Sequence, residues 1–177
     1  MIIQIGQVQN KKELEQILSL QKENLPSALS KKEIVKEGFV TIAHTYDLLE
    51  AMNKVCPHII AKEEDKVIGY ALCMHPKFGN EIDILKPMFK EINAVLSPGE
   101  KYIVMGQVCI DKAFRKMGIF QNLYKKMQDV IKPDFNFIIT EVDALNKRSL
   151  NAHLAIGFVE LKTYSSNGRK WHLIALK

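Results

Sequence analysis

Cysteine is scarce and dispersed in this chain of 177 residues. Cys56, Cys73 and Cys109 are the only three, and no CxxC pair or Cys/His cluster joins them. An odd, scattered set excludes a disulfide framework and a zinc centre, so no metal is expected, and three free thiols fit a reducing cytoplasm. Each reads as a small buried hydrophobe. Long apolar runs are missing too. VIGYALCM at 67–74 falls well short of the roughly 20 residues of a membrane span, so no membrane partner is expected. The opening MIIQIGQVQNKKELEQ has neither a basic stretch ahead of its apolar run nor a small-residue cleavage pattern, which argues against a secretory signal. Six prolines and nine glycines fall singly, leaving no low-complexity stretch or linker. The phosphate-loop pattern GxxxxGK[ST] and the dinucleotide fingerprint GxGxxG are both absent. An aromatic-interleaved basic stripe is also lacking, so nucleic acid is not expected as a partner despite a net charge of +5.

What remains is ordinary globular composition, 47% hydrophobic and 25% charged, in a length that suits one domain over residues 1–177. Residues 2–8 read as a first strand. Asn10 stands three residues before Glu13, a cap for a helix carrying Leu14, Ile17, Leu18 and Leu25 and ended by Pro26. A short helix is expected between Ser30 and Gly38, and a third after Thr45 with Leu48, Leu49 and Met52. Residues 58–64 and 66–75 form a hairpin signal. Pro87 starts a helix bearing Met88, Phe89, Ile92, Val95 and Leu96. The run 102–110 has little alternation and reads as a strand buried on both faces. Gly118 opens a helix striped by Ile119, Leu123, Met127, Val130 and Ile131 and stopped by Pro133. Residues 135–142 are the next buried strand. A helix from Asn146 to Ile156 with Gly157 as its stop and a closing hairpin around 165–168 complete the chain. The strand–helix–strand section over 102–142 implies a parallel pair within a mixed α/β sheet.

Charge is concentrated. Lys101, Lys112, Arg115, Lys116, Lys125, Lys126 and Lys132 face only Asp111 and Asp129 within 101–132. That excess suggests an anionic ligand there, or equally a solvated Lys-rich helix face. The stretch QVCIDKAFRKMGIF at 107–120 takes a buried strand through a short basic loop and one glycine into a helix start. Unpaired N–H groups and the helix dipole make such a junction an anion site, with phosphate or pyrophosphate the natural guest. Further on, Asn146, Ser149 and His153 share one helix face, either functional or simply solvated.

Together these segments resemble the GCN5-related N-acetyltransferase (GNAT) superfamily. The superfamily's [RQ]-x-x-G-x-[GA] loop appears as Arg115-Lys116-Met117-Gly118-Ile119-Phe120, and its later N-x-x-[AS]…G-F signature as Asn146 through Phe158. The resemblance covers about residues 58–177. It implies a central mixed twisted sheet with helices on both faces, acetyl-CoA as cosubstrate without a metal, and an amine acceptor, either a small molecule or a protein amine. Val108, Cys109 and Ile110 would then offer backbone groups to the pantetheine arm. Arg115, Lys116, Met117, Gly118, Ile119, Phe120 and Gln121 would hold the pyrophosphate, mainly through backbone N–H groups from Lys116 onward. Asn146 would bond the pantetheine amide region, with Ser149 beside it among the cofactor contacts.

The chain departs from the pattern twice. Phe120 replaces the last Gly or Ala, and His153 stands where a tyrosine usually protonates the leaving thiolate. Histidine can serve as that acid. For the base, Glu141 near the end of a buried strand is the best candidate, with Asp143 on the same face able to couple to it. Residues 24–56 and the helix at 87–96 are expected to shape the acceptor pocket, with His44, Tyr46 and His75 as polar candidates. A non-catalytic acyl-CoA-binding module is the rival reading, and a homodimer is left open.

Overall fold

The structure, a computed structural model, describes residues 2–30, 32–34 and 38–177. Its strands are β1 (Ile3–Gln7), β2 (Ile59–Glu63), β3 (Lys66–Met74), β4 (Tyr102–Ile110), β5 (Phe137–Asp143), β6 (Val159–Ser166) and β7 (Arg169–Leu176). Its helices are α1 (Lys11–Glu23), α2 (Tyr46–Val55), α3 (Lys86–Val95), α4 (Ile119–Ile131) and α5 (Lys147–Ala155). Short 3-10 turns occupy Pro26–Ala28, Pro76–Asn80, Asp83–Leu85 and Lys112–Phe114. The helix expected after Ser30 lies partly outside the described residues, although 32–34 are helical. None of the described helices is long and apolar enough to cross a membrane.

Local chemistry sets the boundaries. The Asn10 side chain accepts the Glu13 N–H at 3.1 Å, and the Glu13 carboxylate accepts the Gln9 N–H at 2.7 Å, a reciprocal cap worth about 1 kcal/mol. Thr45 caps α2 through the Leu48 N–H. Asn167 and Gly168 have φ of 51° and 71°, the positive pair that a two-residue hairpin turn requires.

Among the described residues seven strands form one mixed sheet in the order β1-β2-β3-β4-β5-β7-β6. The pairs β1/β2, β2/β3, β5/β7 and β6/β7 are antiparallel. β4 and β5 run parallel, with Tyr102 opposite Phe137 and Val104 opposite Ile139, as the strand–helix–strand pattern requires.

The chain divides into two compact units. The first comprises Met1–Ser30, Phe39–Met74 and Met105–Val130, around a core of Ile17, Leu49, Met52, Ile60, Ile68, Leu72, Leu123 and Met127. The second comprises Lys31–Gly38, His75–Val104 and Ile131–Lys177, around Met88, Ile92, Ile103, Ile138, Ile139, Leu173 and Ile174. Each such side chain, fully buried, contributes about 1.5–3 kcal/mol.

β4 differs from the expectation of burial on both faces. Ile103, Val104 and Met105 are buried, but from Gly106 onward the pattern alternates, with Gln107 and Cys109 buried and Val108 and Ile110 half-buried. The pleat sends alternate residues to opposite faces, and only one face is fully covered there. In α3, likewise, Val95 is exposed and only Met88 and Ile92 are buried.

Candidate active site

In the first unit the strand–loop–helix junction is fastened at its base and open at its tip. Asp111 donates its N–H to the Ile68 carbonyl at 2.8 Å, takes the Ala113 N–H on Oδ1 at 3.0 Å, and pairs with Lys66 at 3.1 Å. Phe114 is buried beneath. The Arg115 guanidinium turns back into the protein, Nε donating to the Ile110 carbonyl and Nη2 to Asn24 Oδ1, both at 3.1 Å. Beyond that anchor, Lys116, Met117 and Gly118 are exposed. Lys116 and Gly118 have φ of 65° and 74°. Such turns aim successive backbone N–H groups into one concavity, the nest that binds anions. A Cβ built on Gly118 meets nothing within 4 Å, so the space beside it is open. At the floor, Gly69 has the reverse role. A Cβ there would lie 3.3 Å from the Cys109 carbonyl oxygen and 3.4 Å from Ile119, so glycine lets β3 and the start of α4 approach closely.

The same unit contains a buried polar relay. Gln107 Oε1 accepts from the Tyr70 hydroxyl at 2.6 Å and from Gln21 Nε2 at 2.8 Å, while its own Nε2 donates to the Ile42 carbonyl at 2.8 Å. Gln21 also meets His44 Nδ1 at 2.9 Å and takes the His44 N–H at 2.8 Å. The irregular segment 39–44 is thereby tied to α1 and β4. Burial holds His44 neutral, with its pKa lowered to about 4.

In the second unit, Asp143 ends β5 by accepting the Leu145 N–H at 2.9 Å and the Arg169 guanidinium at 2.9 Å. Asn146 caps α5, its Oδ1 accepting the Ser149 N–H at 3.2 Å. Gly157, at φ 102°, closes the helix, and the Phe158 N–H returns to the His153 carbonyl at 3.2 Å.

A strand, an open anion nest at a helix N-terminus, and a later Asn-capped, Gly-Phe-terminated helix now stand in order, and the Acetyltransferase (GNAT) family profile matches residues 14–158. The chain belongs to the GNAT acetyltransferase family. Its members are acetyl-CoA-dependent N-acetyltransferases, and this chain is an enzyme of that kind. Similar solved structures include the ribosomal-protein-S18-alanine N-acetyltransferase of Escherichia coli, 11% identical with TM-score 0.63, covering 99% of this chain and 93% of that one. Arabidopsis thaliana Naa50 in complex with the bisubstrate analogue CoA-Ac-MVNAL is 14% identical with TM-score 0.64, covering 100% and 99%. Salmonella typhimurium yncA with acetyl-CoA is 13% identical with TM-score 0.67, covering 100% and 94%. No curated protein matches.

Against this GNAT frame the expected site residues divide between the units. Val108, Cys109, Ile110 and Arg115 through Gln121 lie together on β4, its loop and α4. Glu141, Asn146, Ser149 and His153 lie on β5 and α5. The nest at Lys116–Gly118, where the pyrophosphate was expected, is open and exposed. Arg115 differs from the expectation of a charge aimed at phosphate, because its guanidinium braces the loop from behind. Phe120 is half-buried, its ring edge-on to the buried Tyr124 at 5.1 Å between centroids, so it packs inward. Burial pushes the Cys109 thiol up to about 12, leaving its backbone groups as the usable ones. All three cysteines are buried. Among the described residues no group of His, Cys, Asp and Glu is arranged to hold a metal ion.

The helix face carrying Asn146 and His153 is turned inward instead of being solvated. His153 donates from Nδ1 to the Ser149 carbonyl at 2.7 Å and stacks edge-on to Phe158 at 5.0 Å. Burial lowers its pKa to about 4. The imidazole is neutral, and its Nδ1 proton is donated to the Ser149 carbonyl. Glu141 is half-buried, and desolvation raises its carboxyl to about 7 against the lowering effect of a hydrogen bond from Tyr164. Asp143, occupied by Arg169, has no part in that shift. His75 caps the 76–80 turn through the Lys77 N–H, and Tyr46 donates to Glu50, so both have local structural partners. Sequence reading missed Tyr164, Gln21, Gln107 and Asn24, whose partners are remote in the chain.

Proposed function

We propose that the chain acetylates a primary amine with Glu141 as general base. One observation carries this reading: a half-buried carboxyl whose pKa is raised to about 7, with no cation paired to it among the described residues. A base poised near neutrality can take the proton from an acceptor ammonium while remaining ionised often enough to act. The deprotonated amine attacks the thioester carbonyl of acetyl-CoA, the C–S bond breaks, and the departing coenzyme A thiolate takes up the amine's second proton. Backbone groups of Val108, Cys109 and Ile110 meet the pantetheine arm, and N–H groups from Lys116 to Gln121 hold the pyrophosphate. Asn146 and Ser149, at the first turn of α5, are further cofactor-contact candidates by the superfamily pattern. His153, buried on the same helix, donates from Nδ1 to the Ser149 carbonyl. Three buried thiols outside any disulfide support cytoplasmic action.

Peptide amines head the acceptor classes, because the similar structures include an enzyme named for a ribosomal-protein alanine and one bound to CoA-Ac-MVNAL. Incubation with acetyl-CoA and separate panels of free-amine peptides, amino acids and polyamines, read by mass spectrometry, tests the proposal. The rate should fall on an acidic limb centred near pH 7. Glu141→Gln should lose about 100-fold or more and lose that limb. A Glu141→Gln enzyme with the parental rate and profile would overturn the base role.

A further inference from the structure

We infer that Tyr164 is a positioning residue for acetyl transfer, its hydroxyl fixing one oxygen of Glu141 so that the other is presented to the incoming amine. The inference rests on the base role proposed for Glu141. The register explains how residues 23 apart in sequence meet. Glu141 on β5 is opposite Leu173 on β7, Asp143 is opposite Trp171, and Trp171 is in turn opposite Tyr164 on β6. Residues directly opposite share a face, as do residues two apart, so Glu141, Asp143, Leu173, Trp171 and Tyr164 emerge on one side. β5 and β6 are separated by β7, about 10 Å at the usual strand spacing. A tyrosine is long enough to cross that strand diagonally, and its hydroxyl donates to Glu141 Oε2.

Tyr164 is the one hydrogen-bond partner of the Glu141 carboxylate among the described residues. Among the described residues no buried side-chain polar atom lacks a partner, so Oε1, which makes no such bond, reaches solvent. The charged groups around the pair are committed elsewhere. Arg169 holds Asp143, Lys162 of β6 holds Glu91 of α3, and His172 of β7 faces Glu160. His153 of α5 is bonded to the Ser149 carbonyl. Burial raises the Tyr164 phenol, the hydrogen bond to Glu141 and the charges of Glu141 and Glu91 add to it, and the hydroxyl stays a donor. Burial raises the Glu141 carboxyl, and with no cation neutralising it among the described residues the tyrosine sets its orientation and, by favouring the ionised form, extends the working pH range downward.

A carbon-13 NMR titration of the glutamate side-chain carboxyls in the full-length protein tests this without an acceptor. Glu141→Gln identifies the resonance by its disappearance. The parental midpoint is expected near 7 and should move upward in Tyr164→Phe, which keeps the ring but loses the donor. Circular dichroism checks that the variant is folded. Tyr164→Gln, a shorter donor on the same strand, is the second variant, and its midpoint should fall between the two. Equal midpoints in parent and folded variants would overturn the role of Tyr164 while leaving the base role standing. A parental midpoint at the ordinary 4.5 would overturn the base role itself. In a peptide acetylation assay the Tyr164→Phe acidic limb should shift upward in the same way, whereas a merely structural defect would lower the rate evenly across pH.

Discussion

Arg115 and Lys116 are adjacent cations with different tasks. Arg115 is half-buried and bonded to Ile110 and Asn24, whereas Lys116 is exposed at the open tip. Arg115→Met strips a charged donor from a buried carbonyl and an amide, costing about 1–3 kcal/mol of stability and loosening the loop. Lys116→Met should leave stability nearly unchanged, yet weaken acetyl-CoA binding in a manner that fades at high salt. Thermal melting and calorimetry at two salt concentrations separate these outcomes, and identical behaviour of the two variants would refute the division. At this scale the sequence revealed residues whose partners are near in the chain. Asn146, Gly157 and Phe158 belong to one helix and its caps, so their spacing was informative. Glu141 could be picked from its strand position. Tyr164 could not, because its meeting with Glu141 depends on a three-strand register. The inward turn of Arg115 was equally hidden, since its partner Asn24 is 91 residues away.

At the scale of elements, the relay through Gln107 joins β3, β4, α1 and the segment 39–44, which has no regular structure to hold it. Gln107→Leu removes the donor to the Ile42 carbonyl and the acceptor for Tyr70 and Gln21. Leaving those buried groups unpaired should cost about 1–3 kcal/mol each where water cannot reach them. Hydrogen exchange should accelerate selectively at Val40 and His44, whose N–H groups are bonded to Asn24 and Gln21. Unchanged exchange there would show that the segment is held by packing alone. Helices and strands were largely legible, because caps at Asn10 and Thr45, prolines and glycines mark their ends. The 3-10 turns were not, since three to five residues carry no period to read. The helix face at Asn146 and His153 was left open between a functional and a solvated role, because polar residues at helical spacing look alike until a tertiary neighbour covers them.

For the whole molecule, buried histidines govern acid stability. Burial lowers His44, His58 and His153 to about 4 from 6.5, so below 6.5 the unfolded chain gains protons that the folded chain refuses. Each site therefore removes about 1.4 kcal/mol per pH unit as pH falls from 6.5 toward 4. Glu141 works in the opposite sense. Raised to about 7 from 4.5, it is protonated first in the folded state and gives back stability as pH falls through that range. The balance is about two protons, or about 3 kcal/mol per pH unit, against a typical total of about 5–15 kcal/mol. Urea denaturation should show a steep loss between about pH 6.5 and about pH 5, and a flat response would refute neutral burial of the three rings. The central claim remains that the β4–α4 junction is an acetyl-CoA cradle. Its most direct test is calorimetric titration of the full chain with acetyl-CoA, with ATP as comparison and Gly118→Val as control. The account predicts micromolar binding of acetyl-CoA well ahead of ATP, abolished by the valine that fills the open nest. No binding, or equal binding by parent and Gly118→Val, would contradict it.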